Sequence, residues 1–241
     1  MERKGDFYAA NNRLSYGKWP GGILCGPELA QQGVRLVPSW DRSVTHILLD
    51  VPTKDVDLAD IPPDVTLIGG NLDEAAERFP VIDLLKDAQY LLENAAITAD
   101  CALRLLGDRL SVAFRECPIL VIGWGRIGKY LAAMLKGLEA QVSVAARKSS
   151  DLGMLTALGY NAVPVDKIDP RLYRAIINTA PAKVLAGGGE EACVQIDLAS
   201  QQGIMGENVL WARGLPGKML PEESGKCIAR SVLRLLGEGS V

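Results

Sequence analysis

Apolar residues along this chain gather in short runs, and the stretches between them carry apolar positions at helical spacing. Val34 to Val37, His46 to Asp50 and Val65 to Ile68 read as buried strands, with Pro52, Pro62 and Pro63 punctuating the connection between the last two. Before them, Gly17 to Gly22 is turn-like and Pro27 to Gln32 suits a short helix. From Val81 to Leu106 the apolar residues, among them Leu84, Leu91, Ile97 and Leu103, recur at helical spacing, so one or two helices are predicted there, ending at Gly107-Asp108. Ile119 to Ile122 is the next strand, followed by a helix over Lys129 to Leu138 and a strand over Val142 to Ala146. A helix over Asp151 to Leu158 closes at Gly159, and strands follow at Ala162 to Val165, Ala175 to Asn178, Cys193 to Ile196 and Val209 to Trp211. Gly187 to Gly189 reads as a connection, and Glu222 to Leu236 as an amphipathic helix that packs back at the junction of two lobes.

This alternation predicts an α/β chain. A Rossmann-like, doubly wound parallel sheet is expected over residues 107–220, after a smaller and trimmed N-terminal α/β lobe with its bridging helix over 1–106, and with the C-terminal helix over 221–241. Ligands of such sheets lie outside the carboxyl ends of the strands, so attention falls on the residues at those ends.

The most informative of these ends is Gly123-Trp-Gly-Arg-Ile-Gly128. Gly123 allows a tight strand-to-helix turn, Gly125 lets the backbone approach a pyrophosphate, and Gly128 lets helix and strand pack closely. The N–H groups of the helix start and its dipole favour an anion there. Gly123, Trp124, Gly125, Arg126, Ile127 and Gly128 are therefore expected to bind a dinucleotide. The next strand ends in Arg147-Lys-Ser-Ser150, where an enzyme preferring NAD places an acid against the ribose 2′-hydroxyl. Arg147, Lys148 and Ser149 suit a 2′-phosphate by charge-assisted hydrogen bonds, so NADP is the expected cofactor, a solvated basic turn being the alternative. Asn178, Thr179, Ala180 and Pro181 are expected to shape the nicotinamide-ribose wall, and Asp197 and Ser200 end the following strand, Asp197 either at the cofactor or holding a loop.

Composition narrows the chemistry. With 241 residues and 48% hydrophobic content the chain can bury a substantial core. A net charge of −3 argues against a nucleic-acid partner, which requires a basic surface. Its five cysteines show no C-x-x-C pair and fit reduced thiols, no apolar run approaches the ~20 residues of a membrane span, and no metal is expected. The start, Met1 to Asp6, is polar with no signal-peptide core behind it, so a cytoplasmic location is expected. The single histidine, His46, lies at the start of an apolar run and reads as structural, which disfavours an enzyme that needs a histidine acid/base beyond the cofactor strands.

Taken in order, Val121 to Gly128, Val144 to Ser149, Ile177 to Pro181, Ile196 to Ser200 and Gly214 to Lys218 resemble the family of dipicolinate synthase A-type subunits, relatives of the NAD(P)-dependent 2-hydroxyacid dehydrogenases. The resemblance covers roughly residues 80 to 236. It implies an NADP-linked oxidoreductase that converts dihydrodipicolinate to dipicolinate, working with the flavoprotein-like B-type subunit of dipicolinate synthase in the mother cell of a spore former. A homo-oligomer is expected. Removing hydride from a dicarboxylate calls for cations and a proton acceptor. Arg126, Lys218 and Thr98 are the expected substrate ligands, with Lys218 and Asp100 as the ionisable candidates for the proton, and the substrate is expected between the lobes. The N-terminal stretch lacks the family's Gly-Gly-Asp-type opening, and Gln201-Gln-Gly-Ile-Met-Gly206 stands where the family continues with Pro-Gly-Gly. These departures keep a second reading open, a noncatalytic dinucleotide-binding subunit with an assembly or regulatory role.

Overall fold

The structure, a computed structural model, describes residues 6–9, 20–31, 33–37, 44–54, 56–186 and 193–238. Two compact units divide the chain, Met1–Asn94 with Pro216–Val241, and Ala95–Leu215. The boundaries expected near 106 and 220 thus move to 94/95 and 215/216, because the predicted bridging helix contributes to both units and the C-terminal helix belongs to the first.

The first unit holds β1 (Asp6–Ala9), α1 (Pro20–Gln31), β2 (Arg35–Val37), β3 (Val44–Leu48), β4 (Thr66–Gly69) and β5 (Val81–Asp83). Its strands are all parallel, in the order β2-β1-β3-β4-β5, one of the two common doubly wound arrangements. Val44, Ile47, Leu49, Val65, Leu67, Leu72 and Phe79 form a buried core cluster there. Two expectations are corrected. Pro20 to Gly22, read as part of a turn, open α1, where proline at the first position costs no hydrogen bond; Gly17 to Trp19 lie outside the described residues. Val81 to Asp83, read as helical, pair with β4 as an edge strand. The strand is closed by the Asp83 carboxylate, which accepts from the N–H groups of Leu72 (3.0 Å) and Leu85 (2.9 Å). The helix, α2 (Ala88–Gly107), begins only where Asp87 accepts from the Tyr90 N–H at 2.7 Å.

The second unit carries β6 (Pro118–Ile122), α3 (Arg126–Gly137), β7 (Gln141–Ala146), α4 (Ser149–Ala157), β8 (Asn161–Pro164), β9 (Ala175–Asn178), β10 (Val194–Asp197) and β11 (Val209–Trp211). The parallel order β11-β10-β9-β6-β7-β8 is that of the dinucleotide-binding sheet, with its topological switch point between β6 and β9. Ile119 to Ile122 on β6 are fully buried, as are Leu131, Ala132 and Leu135 on the inner face of α3. α4 ends where Gly159 takes φ +72°, with the Tyr160 N–H returning to Leu155 O, as the glycine predicts.

Among the described residues, the connections from β8 to β11 hold no α-helix. Short 3-10 turns (Val165–Lys167 and Pro170–Leu172) lead to β9, and Gly187 to Gly189, on the way to β10, lie outside the described residues. Gly214 to Lys218, read as a strand-end loop, includes the short helix α5 (Leu215–Met219), entered through Gly214 at φ +64°. The final helix, α6 (Pro221–Glu238), packs against α1 within the first unit. All five cysteines are buried and outside any disulfide, and among the described residues no helix is long and apolar enough to cross a membrane.

Candidate dinucleotide site

The glycines after β6 meet three different constraints. Gly123 adopts φ +102°, its N–H bonds to Ala145 O at 2.9 Å, and a Cβ there would stand 2.7 Å from Thr179 Oγ1. A Cβ on Gly128 would lie 2.1 Å from Gly123 O, so the first turn of α3 can cross the strand end only without a side chain. Gly125 differs: a Cβ would meet nothing within 4 Å. Its freedom faces open space, where the backbone is accessible to a ligand. Gly125 is also the N-cap of α3 and offers no side-chain cap, which leaves the start of the helix suited to an external anion.

In front of this turn is a cleft of about 240 Å³. It is lined by Gly123, Trp124 and Gly125 after β6, by Thr179, Ala180 and Pro181 after the neighbouring β9, and by Arg147, Lys148 and Asp151 beyond β7. Its volume is below the ~300–1,000 Å³ of pockets that enclose whole small molecules, so it fits a portion of an extended dinucleotide. Thr179 is fixed by donating its hydroxyl to Ile122 O at 2.9 Å. Trp124 is half-buried, edge-on to Tyr160 with ring centroids 5.7 Å apart, and the Lys129 ammonium stands 5.6 Å from the Trp124 ring. Ile127 is half-buried at the start of α3, while Arg126, Arg147, Lys148 and Ser149 are exposed.

Asn178 and Asp197 occupy a different place from the one expected of cofactor ligands. Both are fully buried, and the Asn178 amide donates to both Asp197 carboxylate oxygens at 3.1 Å. Asp197 also accepts from the N–H groups of Ala199 (3.0 Å), Gly203 (2.7 Å) and Ile204 (2.8 Å). With its oxygens engaged by buried donors, Asp197 holds the loop after β10 in place. Asn178 extends the same control to the wall, donating to Ala180 O and accepting from the Ala180 N–H, both at 3.0 Å. Gly203 completes this hub, since a Cβ there would fall 2.2 Å from Ala182 O and 2.5 Å from Asn178 Nδ2. Sequence reasoning missed its role; the glycine is visible in Gln201 to Gly206, but no strand or helix signal marks what it packs against. Ser200, beyond β10, is exposed and outside the lining of the cleft.

The expected proton acceptor and substrate ligands are not assembled in the second unit. Both Asp100 oxygens accept from Arg104, at 3.3 Å from Nε and 3.0 Å from Nη2, in an exposed ion pair along α2. Thr98 and Asp100 lie two residues apart on α2, and positions at that spacing point to different faces of a helix, so they cannot serve one ligand together. Lys218 is exposed on α5 and belongs to the first unit, whereas Thr98, Asp100 and Arg126 belong to the second. His46 is half-buried on β3 beside Thr45 Oγ1 (2.8 Å), and burial pushes its pKa down. A larger cleft of about 440 Å³ borders the opposite, amino ends of the second sheet, near Pro118, Gln141 and Asn161. It is the wrong edge for a ligand of this fold, and Lys136 beside it is occupied with the carbonyl of Leu158 at 2.8 Å.

No protein-family model matches the chain. Among solved structures, the dipicolinate synthase A-type subunit from Bacillus halodurans superposes with a TM-score of 0.82 at 20% identity, covering 98% of this chain and 99% of that one. Its Bacillus subtilis counterpart gives 0.81 at 19% identity, covering 99% of this chain and 97% of that one. A transhydrogenase from Sinorhizobium meliloti follows the same fold more loosely, at 0.70 and 11% identity, covering 97% and 94%. In sequence, the dipicolinate synthase A-type subunit of Bacillus subtilis (strain 168) is 26% identical over 172 residues, a match that takes in 66% of this chain and 58% of the relative's length. With the strand-end motifs in their shared order, the chain is similar in sequence and in fold to dipicolinate synthase A-type subunits.

Proposed function

We propose that the chain is the NADP-linked A-type subunit of a dipicolinate synthase, oxidising dihydrodipicolinate to dipicolinate together with a flavoprotein-like B-type subunit. One observation carries the reading: the Gly125 turn opens on a cleft that Arg147 and Lys148 also line. When bound, the nicotinamide cofactor supplies the acceptor for the hydride that leaves the dihydropyridine ring, a proton departing with it. The chain's own work is binding and orientation. N–H groups at the start of α3 hold the pyrophosphate, Arg147 and Lys148 hold the 2′-phosphate, and the Thr179 to Pro181 wall, fixed by the Asn178–Asp197 hub, sets the ribose. Arg126 binds a substrate carboxylate or the pyrophosphate, and Lys218 is a carboxylate ligand on its charge alone. Asp100, in its exposed pair with Arg104, and Lys218 are the ionisable candidates for the proton. A homo-oligomer in the mother-cell cytoplasm of a spore former completes this reading.

A second reading, a noncatalytic subunit that keeps the nucleotide fold, gains support from the engagement of Asp100 and from the lack of any histidine after His46. Assaying dihydrodipicolinate oxidation with NADP, with and without the B-type subunit, separates the two. Turnover that requires both proteins supports the synthase; NADP binding without turnover in any combination supports the noncatalytic reading.

A further inference from the structure

The cleft contains a carboxylate that the strand-end sequence did not suggest. Asp151 lies in the first turn of α4, half-buried, and lines the same end of the cleft as Arg147 and Lys148. An acid in the third position of a helix commonly folds back to cap its own N-terminus. Asp151 does not: among the described residues its carboxylate has no hydrogen bond or ion pair, and neither Arg147 nor Lys148 is paired with it. The cleft thus presents two cations and one uncommitted acceptor to whatever occupies it.

A carboxylate needs donors, and the adenosine half of a dinucleotide offers its ribose hydroxyls and its amino group. The 2′-hydroxyl distinguishes NAD from NADP: in NAD it donates, and in NADP it is replaced by a dianionic phosphate that a carboxylate repels. Resting on the dinucleotide reading of this cleft, we infer that Asp151 is a specificity-determining residue. It accepts from the ribose 2′-hydroxyl of NAD and offsets the attraction of Arg147 and Lys148 for the 2′-phosphate, so that the cleft takes both cofactors. Arg147 and Asp151 then act in opposite directions on one ratio.

The test is calorimetric titration of the full chain with NAD and NADP, and with 5′-AMP and 2′,5′-ADP to isolate the adenosine half. Asp151→Asn should weaken NAD about tenfold, the scale of one hydrogen bond to a charged group, while NADP holds or tightens. The AMP to 2′,5′-ADP ratio should shift in the same sense. Asp151→Ala serves as a second variant, and the melting temperature of each confirms folding. Equal weakening of both cofactors, or an unchanged ratio, overturns the assignment while leaving the dinucleotide site intact. Failure of the unsubstituted chain to bind any of the four ligands overturns the underlying site and this inference with it.

Discussion

Gly125 and Gly128 are three residues apart in one turn, yet their environments make opposite predictions. A methyl on Gly128 would sit 2.1 Å from a backbone oxygen, so Gly128→Ala must displace α3 from the end of β6, with a destabilisation of about 1–3 kcal/mol or more. A methyl on Gly125 meets open space, so Gly125→Ala should leave thermal stability within about 0.5 kcal/mol and yet obstruct the close approach of a phosphate. Melting curves alone and with NADP check both: the Gly128 variant should melt lower without ligand, and the Gly125 variant should melt normally but lose its response to NADP. The glycine spacing is legible in the sequence because each glycine meets a local demand of the turn. Gly203 is not legible, because its demand comes from Ala182 and Asn178, which the fold brings to it. Asp197 is similar: its place at a strand end is visible, whereas the backbone donors that occupy it belong to a loop with no periodic signal.

At the scale of elements, long amphipathic segments declare themselves in the sequence and short ones do not. α6 lies within two residues of its expected limits at each end because its apolar repeat is sustained over several turns. β5 merges with the helix that follows, since a strand of three residues carries too little alternation to oppose the helical spacing from Leu84 onward. The capping carboxylates Asp83 and Asp87 are the available signal. α2 and α6 are tied by Arg230 to Glu93 at 3.1 Å and by Arg234 to Asp87 at 2.5 Å. Hydrogen bonding from Gln89, followed by that from Arg230 and the charges of Arg230 and Arg234, holds the Glu93 carboxyl below its ordinary value of 4.5 despite partial burial. Because the folded-state value is depressed, this stabilisation is present above the unfolded value and is lost as pH falls through the lower folded one. Glu93→Gln should therefore lower the melting temperature at pH 7, and its deficit against the parent chain should shrink below about pH 4.5. A constant deficit down to pH 3 would show that packing, not charge, is what Glu93 contributes.

At the scale of the whole molecule, the alternation of strands and helices discloses an α/β chain with a doubly wound parallel sheet after a smaller lobe, and the ordered strand ends disclose the likeness to dipicolinate synthase A-type subunits. The strand order of the first sheet is hidden, because β1 is short and its sequence, Asp-Phe-Tyr-Ala, does not form an apolar run. The unit boundaries are hidden for another reason: α2 has one continuous helical pattern although its ends contribute to different units. Cysteine reactivity reports on the integrity of both units, since Cys25 and Cys227 lie in the first and Cys101, Cys117 and Cys193 in the second. Burial pushes the Cys25 and Cys101 thiols up to about 11 and Cys227 to about 12, so thiolate is scarce at neutral pH. A colorimetric thiol reagent should find almost none of the five accessible in the native chain and all five in denaturant. Rapid native labelling at one of them would reveal a locally open region.

The central claim is that the turn from β6 into α3 and the basic end of β7 together bind a 2′-phosphorylated dinucleotide, and tryptophan fluorescence during an NADP titration tests it most directly. Trp124 lines the cleft, so NADP should quench the emission with a saturable curve, Trp124→Phe should abolish the quench, and Arg147→Ala should weaken NADP far more than NAD. No saturable quench and no rise in melting temperature with NADP, or equal losses of NADP and NAD in the Arg147 variant, would contradict it.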